Sequence, residues 1–328
     1  MTDSLAPDPQ ADDTAAMDGA PVCVLAFNAA DASGAGGVAG DVATIAAMGG
    51  HALPITCAVC VRDTAEVFDH EALDADLVDE QARTILEDTP VGGFKVGFLG
   101  DAENVTVVAE LLSDYTDIPV VAYLGNLGWM EEDARQSYLD AWRELILPAT
   151  AVLVGSHQTL TDFLLPEWDS ERPASPRELA VAAAQAGTGF VLVTGVMLAS
   201  RKAGVGAAAG SGQFIDNVLA GPQGAITGEK FEHVEATFVG AGDTLSAALA
   251  TLLAVGSELQ AAVGEALQFL DQSLEAGFAP GMGHVVPDRF FWAMGDELPE
   301  GDEGDLPTDG GPEFDPHQTP PGGSRSVH

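Results

Sequence analysis

Residues 239–256 read Val239-Gly240-Ala241-Gly242-Asp243-Thr244 and then LSAALATLLAVG, a glycine-rich turn that leads into an apolar helical stretch. The first backbone N–H groups of such a helix have no intrahelical partner and lie at the positive end of the helix dipole. They can bind an anion, and the glycines let the backbone approach a phosphate without Cβ clashes. Gly240, Ala241 and Gly242 are therefore candidates for an anion hole.

Asp243 stands where this helix is predicted to begin. A carboxylate in that place can accept the proton of a substrate hydroxyl and so make it a nucleophile. An Asp that follows a glycine turn is also a common N-cap of a helix. The motif by itself leaves both interpretations open.

Apolar runs and helical patterns alternate on both sides of this turn. The alternation predicts an α/β fold with a mostly parallel central sheet that helices cover on both faces. In such sheets, ligands bind at the carboxyl ends of the strands. Strands are predicted at 22–27, 53–61, 93–98, 119–123, 151–154, 190–194 and 214–219, and helices near 37–48, 74–87, 102–113, 131–146, 176–186, 243–255 and 258–276.

A second glycine-rich loop, Asp31-Ala32-Ser33-Gly34-Ala35-Gly36-Gly37, follows the first predicted strand. Gly34-x-Gly36-x-x-Ala39 matches the dinucleotide fingerprint G-x-G-x-x-A. Six residues separate the strand from the first glycine, however, whereas the fingerprint normally follows its strand at once. A nicotinamide-dependent oxidoreductase is a hypothesis that rests on this match alone.

Three further features each have a structural interpretation. Lys95, in Lys95-Val96-Gly97-Phe98-Leu99, is either functional or an edge residue whose stem covers apolar surface. Cys57 and Cys60 are interpreted as two buried thiols in a strand, because no second Cys or His pair accompanies them at metal-ligand spacing. His284, in a glycine-rich segment after the last long helix, is interpreted as structural.

Composition excludes several classes of protein. The 328 residues carry a net charge of −39, which repels nucleic acids and anionic membranes. No apolar run approaches the roughly 20 residues that span a bilayer. The N-terminus lacks the basic and apolar regions of a secretory signal, so we expect a cytoplasmic protein. Three cysteines are too few for a disulfide framework.

The composition also predicts the domain organisation. Residues 1–20 and 296–328 are acidic or rich in Pro and Gly, and we expect a disordered arm and a disordered tail there. Residues 203–212 read AGVGAAAGSG, which is typical of a flexible loop. One folded domain is predicted over residues 21–295.

Together the motifs resemble the hydroxymethylpyrimidine/phosphomethylpyrimidine kinases of the ribokinase-like superfamily, in order and spacing, from about residue 22 to about residue 292. The family's opening D-x-S-G-G-A-G is similar to Asp31–Asp41, and its K-I-G-M-L to Lys95–Leu99. Its G-[TA]-G-[CD]-T-L-S-A-A is similar to Gly240–Ala248, and its closing G-x-G-P/H to Gly281–His284.

The resemblance implies a ribokinase-like three-layer sandwich, with ATP and Mg²⁺ as cofactors. The implied reaction transfers the γ-phosphoryl group to 4-amino-5-hydroxymethyl-2-methylpyrimidine in thiamine biosynthesis, and many members then phosphorylate the monophosphate. Asp243 would be the base, and Gly240, Ala241 and Gly242 the anion hole. No metal ligand is assigned, and a homodimer is expected only by analogy. The implied substrate-binding residues are Asp31, Gly34, Gly36, Arg62, Gly97 and Phe98, and the implied nucleotide-binding residues are Thr194 and Gly195.

Four departures from the family pattern motivate two alternatives. Arg62 stands where the family has a Gln that pairs with the aminopyrimidine, and Arg only donates hydrogen bonds. It would suit a substrate with an acidic or carbonyl group, such as a pyridoxal-type vitamer. Ser156–Thr159 lacks the Glu of the family's N-x-x-E, Tyr123 replaces an Asp, and Thr194 replaces a Lys. These losses favour a non-catalytic pyrimidine-binding protein as the other alternative.

Overall fold

A computed structural model describes residues 19–197, 214–232 and 236–293. The predicted loop at 203–212 and the tail at 296–328 lie outside the described residues, as does the arm at 1–20 apart from its last two residues. The described residues up to Phe291 form one compact unit. A second unit begins at Trp292, and only its first two residues are described.

Nine strands and eight α-helices make up the described part of the compact unit. In chain order they are β1 (Cys23–Asp31), α1 (Gly37–Ala47), β2 (His51–Arg62), β3 (Val67–Ala72), α2 (Ala75–Asp88), β4 (Gly93–Val96), α3 (Ala102–Ser113), β5 (Val120–Leu124), α4 (Glu132–Ala141), β6 (Val152–Ser156), α5 (His157–Leu164), α6 (Pro176–Gln185), β7 (Phe190–Met197), β8 (Phe214–Gly221), β9 (Gly224–Glu232), α7 (Ala241–Ala254) and α8 (Leu259–Glu275). A π-helical turn (Trp142–Ile146) and a 3₁₀ turn (Leu147–Ala149) follow α4, and a further 3₁₀ turn spans Phe291–Ala293.

The nine strands form one sheet in the order β3-β2-β1-β4-β5-β6-β7-β8-β9. The six strands from β2 to β7 in that order run parallel to one another, whereas the pairs β2–β3, β7–β8 and β8–β9 are antiparallel. The prediction of a mostly parallel sheet is therefore confirmed. Its parallel part brings the carboxyl ends of β1, β2, β4 and β5 to one edge, where a ligand site is expected.

Helices cover both faces of the sheet, as the alternating side chains of β1 illustrate. Leu25 and Phe27 belong to the core under α2 to α6, whereas Val24 and Ala26 belong to the core under α1, α7 and α8. Every residue of α7 from Thr244 to Leu252 is buried. A helix that is apolar on all sides needs such a central position. The buried position of α7 holds the glycine-rich turn before it against the sheet.

The sequence did not predict β3, β9 or α5, and each has a physical reason. β3 reads VFDHEA and β9 reads GAITGEKFE, so charges and glycines interrupt the two-residue alternation of a half-buried strand. Both strands lie at the two ends of the sheet, where fewer side chains are buried. α5 spans eight residues and buries only Leu160 and Phe163, so its helical period is too short to recognise. None of the helices in the described ranges is long and apolar enough to cross a bilayer.

Candidate active site

A cavity of about 650 Å³ lies where the carboxyl ends of β1, β2, β4 and β5 meet the N-terminus of α7. Both glycine-rich segments reach it, the first through Gly36 and Gly37 and the second through Gly240. Cavities of this size are typical of sites for small molecules. Other residues of its lining are Asn28, Asp31, Arg62, Phe98, Tyr123 and Asp243.

At the start of α7, neighbouring atoms leave no room for a side chain at Gly240 or Gly242. Gly240 is the N-cap residue with φ +84°, and a Cβ there would lie 1.7 Å from the carbonyl oxygen of Ala35. A Cβ on Gly242 would lie 2.2 Å from Cζ of Tyr123, whose ring therefore packs against the first turn of the helix. The turn is thus held between the first glycine-rich loop and the end of β5.

Asp243 is the third residue of α7 and not its N-cap, so the capping interpretation is wrong. Its Oδ1 lies 2.6 Å from Nζ of Lys95 and accepts a hydrogen bond of 2.9 Å from Nδ2 of Asn28. Its Oδ2 accepts one of 3.1 Å from the backbone N–H of Gly37. The side chain is 15% exposed and lines the cavity, so a substrate hydroxyl can reach it.

Lys95 is fully buried in β4, an inner strand, so the edge-residue interpretation is wrong. Its Nζ also lies 2.8 Å from Oδ1 of Asp41, a fully buried residue of α1. Asn28 donates to Asp41 and to Asp243 at 2.9 Å each. One lysine and one amide therefore join two carboxylates from different glycine-rich segments into a single buried network.

The two carboxylates of this network have opposite pKa shifts. Burial raises the pKa of Asp41 to about 6, against the opposing effect of Lys95, and the charge of Asp243 adds to the rise. Burial would also raise the pKa of Asp243, but Lys95 and the hydrogen bonds from Asn28 and Gly37 outweigh it, so that pKa lies below its ordinary value. Asp243 is therefore the carboxylate that stays ionised and available as a base near neutral pH.

Asp31 organises the first glycine-rich loop from the end of β1. Its carboxylate accepts hydrogen bonds from the backbone N–H and the hydroxyl of Ser33, at 2.8 and 2.6 Å, and from the N–H of Gly36 at 3.1 Å. A Cβ on Gly36 would lie 2.5 Å from Oδ2 of Asp243, so the loop can close over that carboxylate only with glycine at this position. The loop thus orients the candidate base.

Arg62 reaches the cavity from the end of β2. One of its terminal nitrogens lies 3.5 Å from Oδ2 of Asp31, and its Nε donates to the carbonyl of Asp63 at 3.0 Å. Cys60 also lines the cavity and is only partly buried, so the interpretation of two buried thiols holds for Cys57 alone. Val59 is 43% exposed and does not contribute to the lining.

Asn28 is positioned by the segment after β4. Its Oδ1 accepts a hydrogen bond of 3.0 Å from the N–H of Phe98, and a Cβ on Gly97 would lie 2.5 Å from the Asn28 side chain. Gly97 therefore leaves room for the amide that contacts Asp243. The ring of Phe98 forms a wall of the cavity with Trp129, with 5.3 Å between their ring centroids.

Five of the predicted site residues do not line this cavity. Ala241 and Gly242 adjoin it in the first turn of α7, and Gly34, Thr194 and Gly195 lie elsewhere. Gly34 occupies the exposed tip of the first loop, with φ +70°. Thr194 and Gly195 lie within β7, where its pairing with β6 ends. Thr194 donates to the carbonyl of Gly155, and the N–H of Gly195 donates to Asn217. His284 is outside the cavity too, and its segment contacts the turn after β2 through Thr64.

Sequence reasoning missed Asn28 and the buried pairing of Asp41. The signal for Asp41 was present, because an Asp inside the apolar helix GVAGDVATIAA needs a buried partner, and Lys95 was the matching buried cation. Asn28 lies in the long apolar β1, where a polar amide at the carboxyl end is a similar indication. Arg289, at the end of the compact unit, was also missed, and it lies beside Gly240.

The carboxylates at the cavity do not form a metal site of their own. Asp41 and Asp243 pair with Lys95, Asp31 accepts hydrogen bonds from Ser33 and Gly36, and Glu66 is a further carboxylate of the lining. Within the described residues, no group of three or more His, Cys, Asp or Glu side chains could hold a metal ion. A protein-bound Mg²⁺ therefore does not fit the described residues of this site.

The sequence matches a known family and several curated proteins. Residues 31–288 match the family model described as phosphomethylpyrimidine kinase. The hydroxymethylpyrimidine/phosphomethylpyrimidine kinase of Streptomyces coelicolor is 28% identical over 278 residues, which are 84% of this chain and 97% of that protein. The protein of the same name from Mycobacterium tuberculosis is 28% identical over 284 residues, 83% of this chain and 94% of that protein.

Solved structures support the fold. The pyridoxal kinase of Staphylococcus aureus in complex with ADP superposes with a TM-score of 0.70 at 18% identity, over 85% of this chain and 97% of that chain. The phosphomethylpyrimidine kinase of Clostridium difficile superposes with a TM-score of 0.59 at 19% identity, over 76% of this chain and 99% of that chain. The predicted ribokinase-like sandwich is therefore confirmed.

Proposed function

Because this chain belongs to the phosphomethylpyrimidine kinase family, we propose that it phosphorylates the hydroxymethyl group of 4-amino-5-hydroxymethyl-2-methylpyrimidine with ATP as the donor. Two relatives that share more than four fifths of this chain have names that describe this class of kinase. The product would be the phosphomethylpyrimidine, a thiamine precursor, and a second transfer to that monophosphate would give the diphosphate.

One observation carries the proposal, namely that the carboxylate of Asp243 faces a cavity from the first turn of α7. In the proposed reaction, the substrate oxygen attacks the γ-phosphorus of ATP. The bond between that phosphorus and the bridging oxygen, which stays with ADP, breaks. Oδ2 of Asp243 accepts the hydroxyl proton, and ADP leaves with the electron pair of the broken bond. The backbone N–H groups of Gly240, Ala241 and Gly242 are proposed to form the anion hole that stabilises the charge on the transferring group.

Asp31, Gly36, Arg62, Gly97 and Phe98 are proposed to form the substrate site. Arg62 can donate to a ring nitrogen, and the adjacent carboxylate of Asp31 can accept from the amino group. The pair would then supply the donor and the acceptor that a single amide provides. Phe98 offers an aromatic face to the ring.

Mg²⁺ is proposed to enter as part of MgATP, because the described carboxylates do not form a site for it. Thr194 and Gly195 lie in β7, farther along the sheet, and are proposed to contact the nucleotide. The buried Lys95 cannot reach a phosphate without leaving the network, so its proposed role is to hold Asp243 in its ionised form.

The second candidate is a kinase of a pyridoxal-type vitamer, which Arg62 favours. The guanidinium only donates hydrogen bonds, and pyridoxal presents oxygen acceptors next to its hydroxymethyl group. The variant Arg62→Gln separates the two candidates. It should retain or improve turnover of the aminopyrimidine if that is the substrate, and it should lose turnover of pyridoxal if pyridoxal is.

The decisive experiment incubates the purified full chain with MgATP and each alcohol and measures the mass of the product. A phosphorylated pyrimidine that Asp243→Asn fails to form supports the proposal. Binding of the pyrimidine by calorimetry without any turnover would instead favour a non-catalytic binding protein. A preference for pyridoxal would support the second candidate function, with the same catalytic role for Asp243.

A further inference from the structure

Arg289 is a buried cation directly behind the anion hole. It is 5% exposed, although the chain as a whole carries a net charge of −39. Its Nε donates to the hydroxyl of Thr244 at 3.0 Å, and its Nη2 donates to the carbonyl of Ala35. One guanidinium therefore ties the first glycine-rich loop to the first turn of α7.

The contacts of Arg289 leave its charge without a directly bound counterion. Both hydrogen-bond acceptors are neutral, and no ion pair joins Arg289 to a carboxylate in the part of the chain that the structure describes. Burial lowers the pKa of Arg289, while the charges of Asp243, Asp41 and Asp31 act in the opposite direction. A guanidinium keeps its proton in such surroundings, so a fixed positive charge remains at this place.

The position of that charge is defined by two glycines. A Cβ on Gly240 or on Gly40 would lie 3.0 Å from Nη2 of Arg289. The guanidinium thus contacts the backbone at the start of α7, where the helix N–H groups are unpaired, and also the first turn of α1. Without Arg289, the four carboxylates at or beside the cavity outnumber its two cations, Lys95 and Arg62, and the excess negative charge would repel a nucleotide phosphate. These carboxylates are Asp31, Asp41, Glu66 and Asp243.

We propose that Arg289 is a positioning residue that makes the start of α7 electropositive enough to receive a phosphoryl group. The inference rests on the proposed function, because the anion in question is the phosphate of ATP. Arg289 does not line the cavity, so its charge acts across the backbone of Gly240. Its charge should matter for the nucleotide and not for the neutral alcohol.

The test compares two variants of the full chain, Arg289→Lys and Arg289→Gln. Lys keeps the charge and loses the forked geometry, whereas Gln keeps a donor for the loop and loses the charge. For Gln, kcat/KM for ATP should fall about 10- to 100-fold, while KM for the alcohol changes less than about threefold. For Lys, kcat/KM for ATP should stay within about threefold of the original chain. Arg83→Met, at a residue of α2 that is not in contact with the cavity, controls for the change in net charge.

Equal losses for both variants, or losses shared equally between ATP and the alcohol, would overturn the proposal and leave Arg289 a purely structural residue. If Arg289→Gln does not fold, the Lys variant still decides, because a loss above about tenfold contradicts a role of the charge. Calorimetric binding of ADP separates this test from the proposed reaction. A chain that binds ADP but phosphorylates no alcohol refutes the proposed function, and weaker ADP binding by the Gln variant alone still supports Arg289.

Discussion

Nζ of Lys95 lies 2.6 Å from Oδ1 of Asp243, and the lysine is completely buried while the carboxylate reaches the cavity. The candidate base is therefore one half of an ion pair whose other half cannot reach solvent. Such a pair keeps the carboxylate ionised and fixes its free oxygen toward the cavity. Lys95 therefore controls the pKa of Asp243, and through that pKa it controls the pH dependence of turnover.

Lys95→Met should move the acidic limb of the pH profile of kcat/KM to higher pH. In the original chain the pKa of Asp243 is lowered, so activity should persist until the pH falls below the ordinary range of a carboxylate. Without Lys95, the effect of burial would raise that pKa. Measured pH profiles of the two proteins test this, and an unchanged limb would contradict it.

The same substitution should cost stability. Removing one partner of a buried pair leaves uncompensated charge and typically costs about 3–5 kcal/mol of the free energy of unfolding. The double variant Lys95→Met with Asp41→Asn removes one of the two stranded carboxylates, so it should be more stable than the single variant. Denaturant unfolding measures both, and a double variant that is less stable would refute the network.

Asp243→Asn should abolish most of the turnover and little of the binding. The substitution keeps the size of the side chain but removes the proton acceptor, so kcat should fall about 10²- to 10⁴-fold. Calorimetric affinity for the alcohol should change less than about threefold, because the cavity keeps its shape. Asp31→Asn is the matched control, since it removes a carboxylate of the same cavity that is proposed to bind and not to accept the proton. Near-normal turnover of Asp243→Asn would exclude Asp243 as the base.

Asp41 should titrate near pH 6, and Asp243→Asn should lower that value. Burial raises the pKa of Asp41 to about 6, and the charge of Asp243 contributes to the rise. Because the folded pKa lies above the unfolded one, Asp41 should add stability as the pH falls from about 6 to about 4. Carbon NMR titration of the carboxyl groups gives both pKa values, and a midpoint near 4 would contradict the first expectation.

The sequence predicted the parts of the fold that come from strong local patterns. The parallel strands and the helix that follows Gly240 are long apolar runs bounded by glycine, so their types and approximate bounds could be predicted. β3 and β9 could not, because polar strands at the ends of a sheet are stabilised by pairing with a neighbour and not by their own pattern.

The residues of the candidate site also fall into a group that the sequence predicted and a group that it did not. Asp243 stands in a recognisable motif, whereas its partners Asn28 and Asp41 lie more than 200 residues earlier in the chain and meet it only through the sheet topology. The inward position of Lys95 depends on the strand order, which places β4 between β1 and β5. Single residues of the correct chemical type were visible in the sequence, but their pairing was not.

Gly242→Ala should destabilise the chain, even though alanine is the better helix former. A Cβ there would lie 2.2 Å from Cζ and 2.4 Å from the hydroxyl oxygen of Tyr123, so the ring or the helix start must move. Overpacking of this kind costs about 1–3 kcal/mol, more than the gain of at most about 1 kcal/mol in helix propensity. The matched control is Gly264→Ala in α8, where a Cβ meets nothing within 4 Å and stability should rise.

A double-mutant cycle with Tyr123→Ala identifies the ring as the cause. If the ring is what a Cβ at Gly242 strikes, then truncating Tyr123 first should make Gly242→Ala nearly harmless to unfolding. The two losses of stability should then sum to clearly more than the loss of the double variant, by over about 0.5 kcal/mol, which is the usual limit of additivity. Additive losses would mean that the backbone, and not contact with the Tyr123 ring, requires glycine at position 242. The same cycle on KM for ATP reports whether displacing the ring disturbs the N–H groups of the anion hole, because those groups lie in the turn that the ring touches.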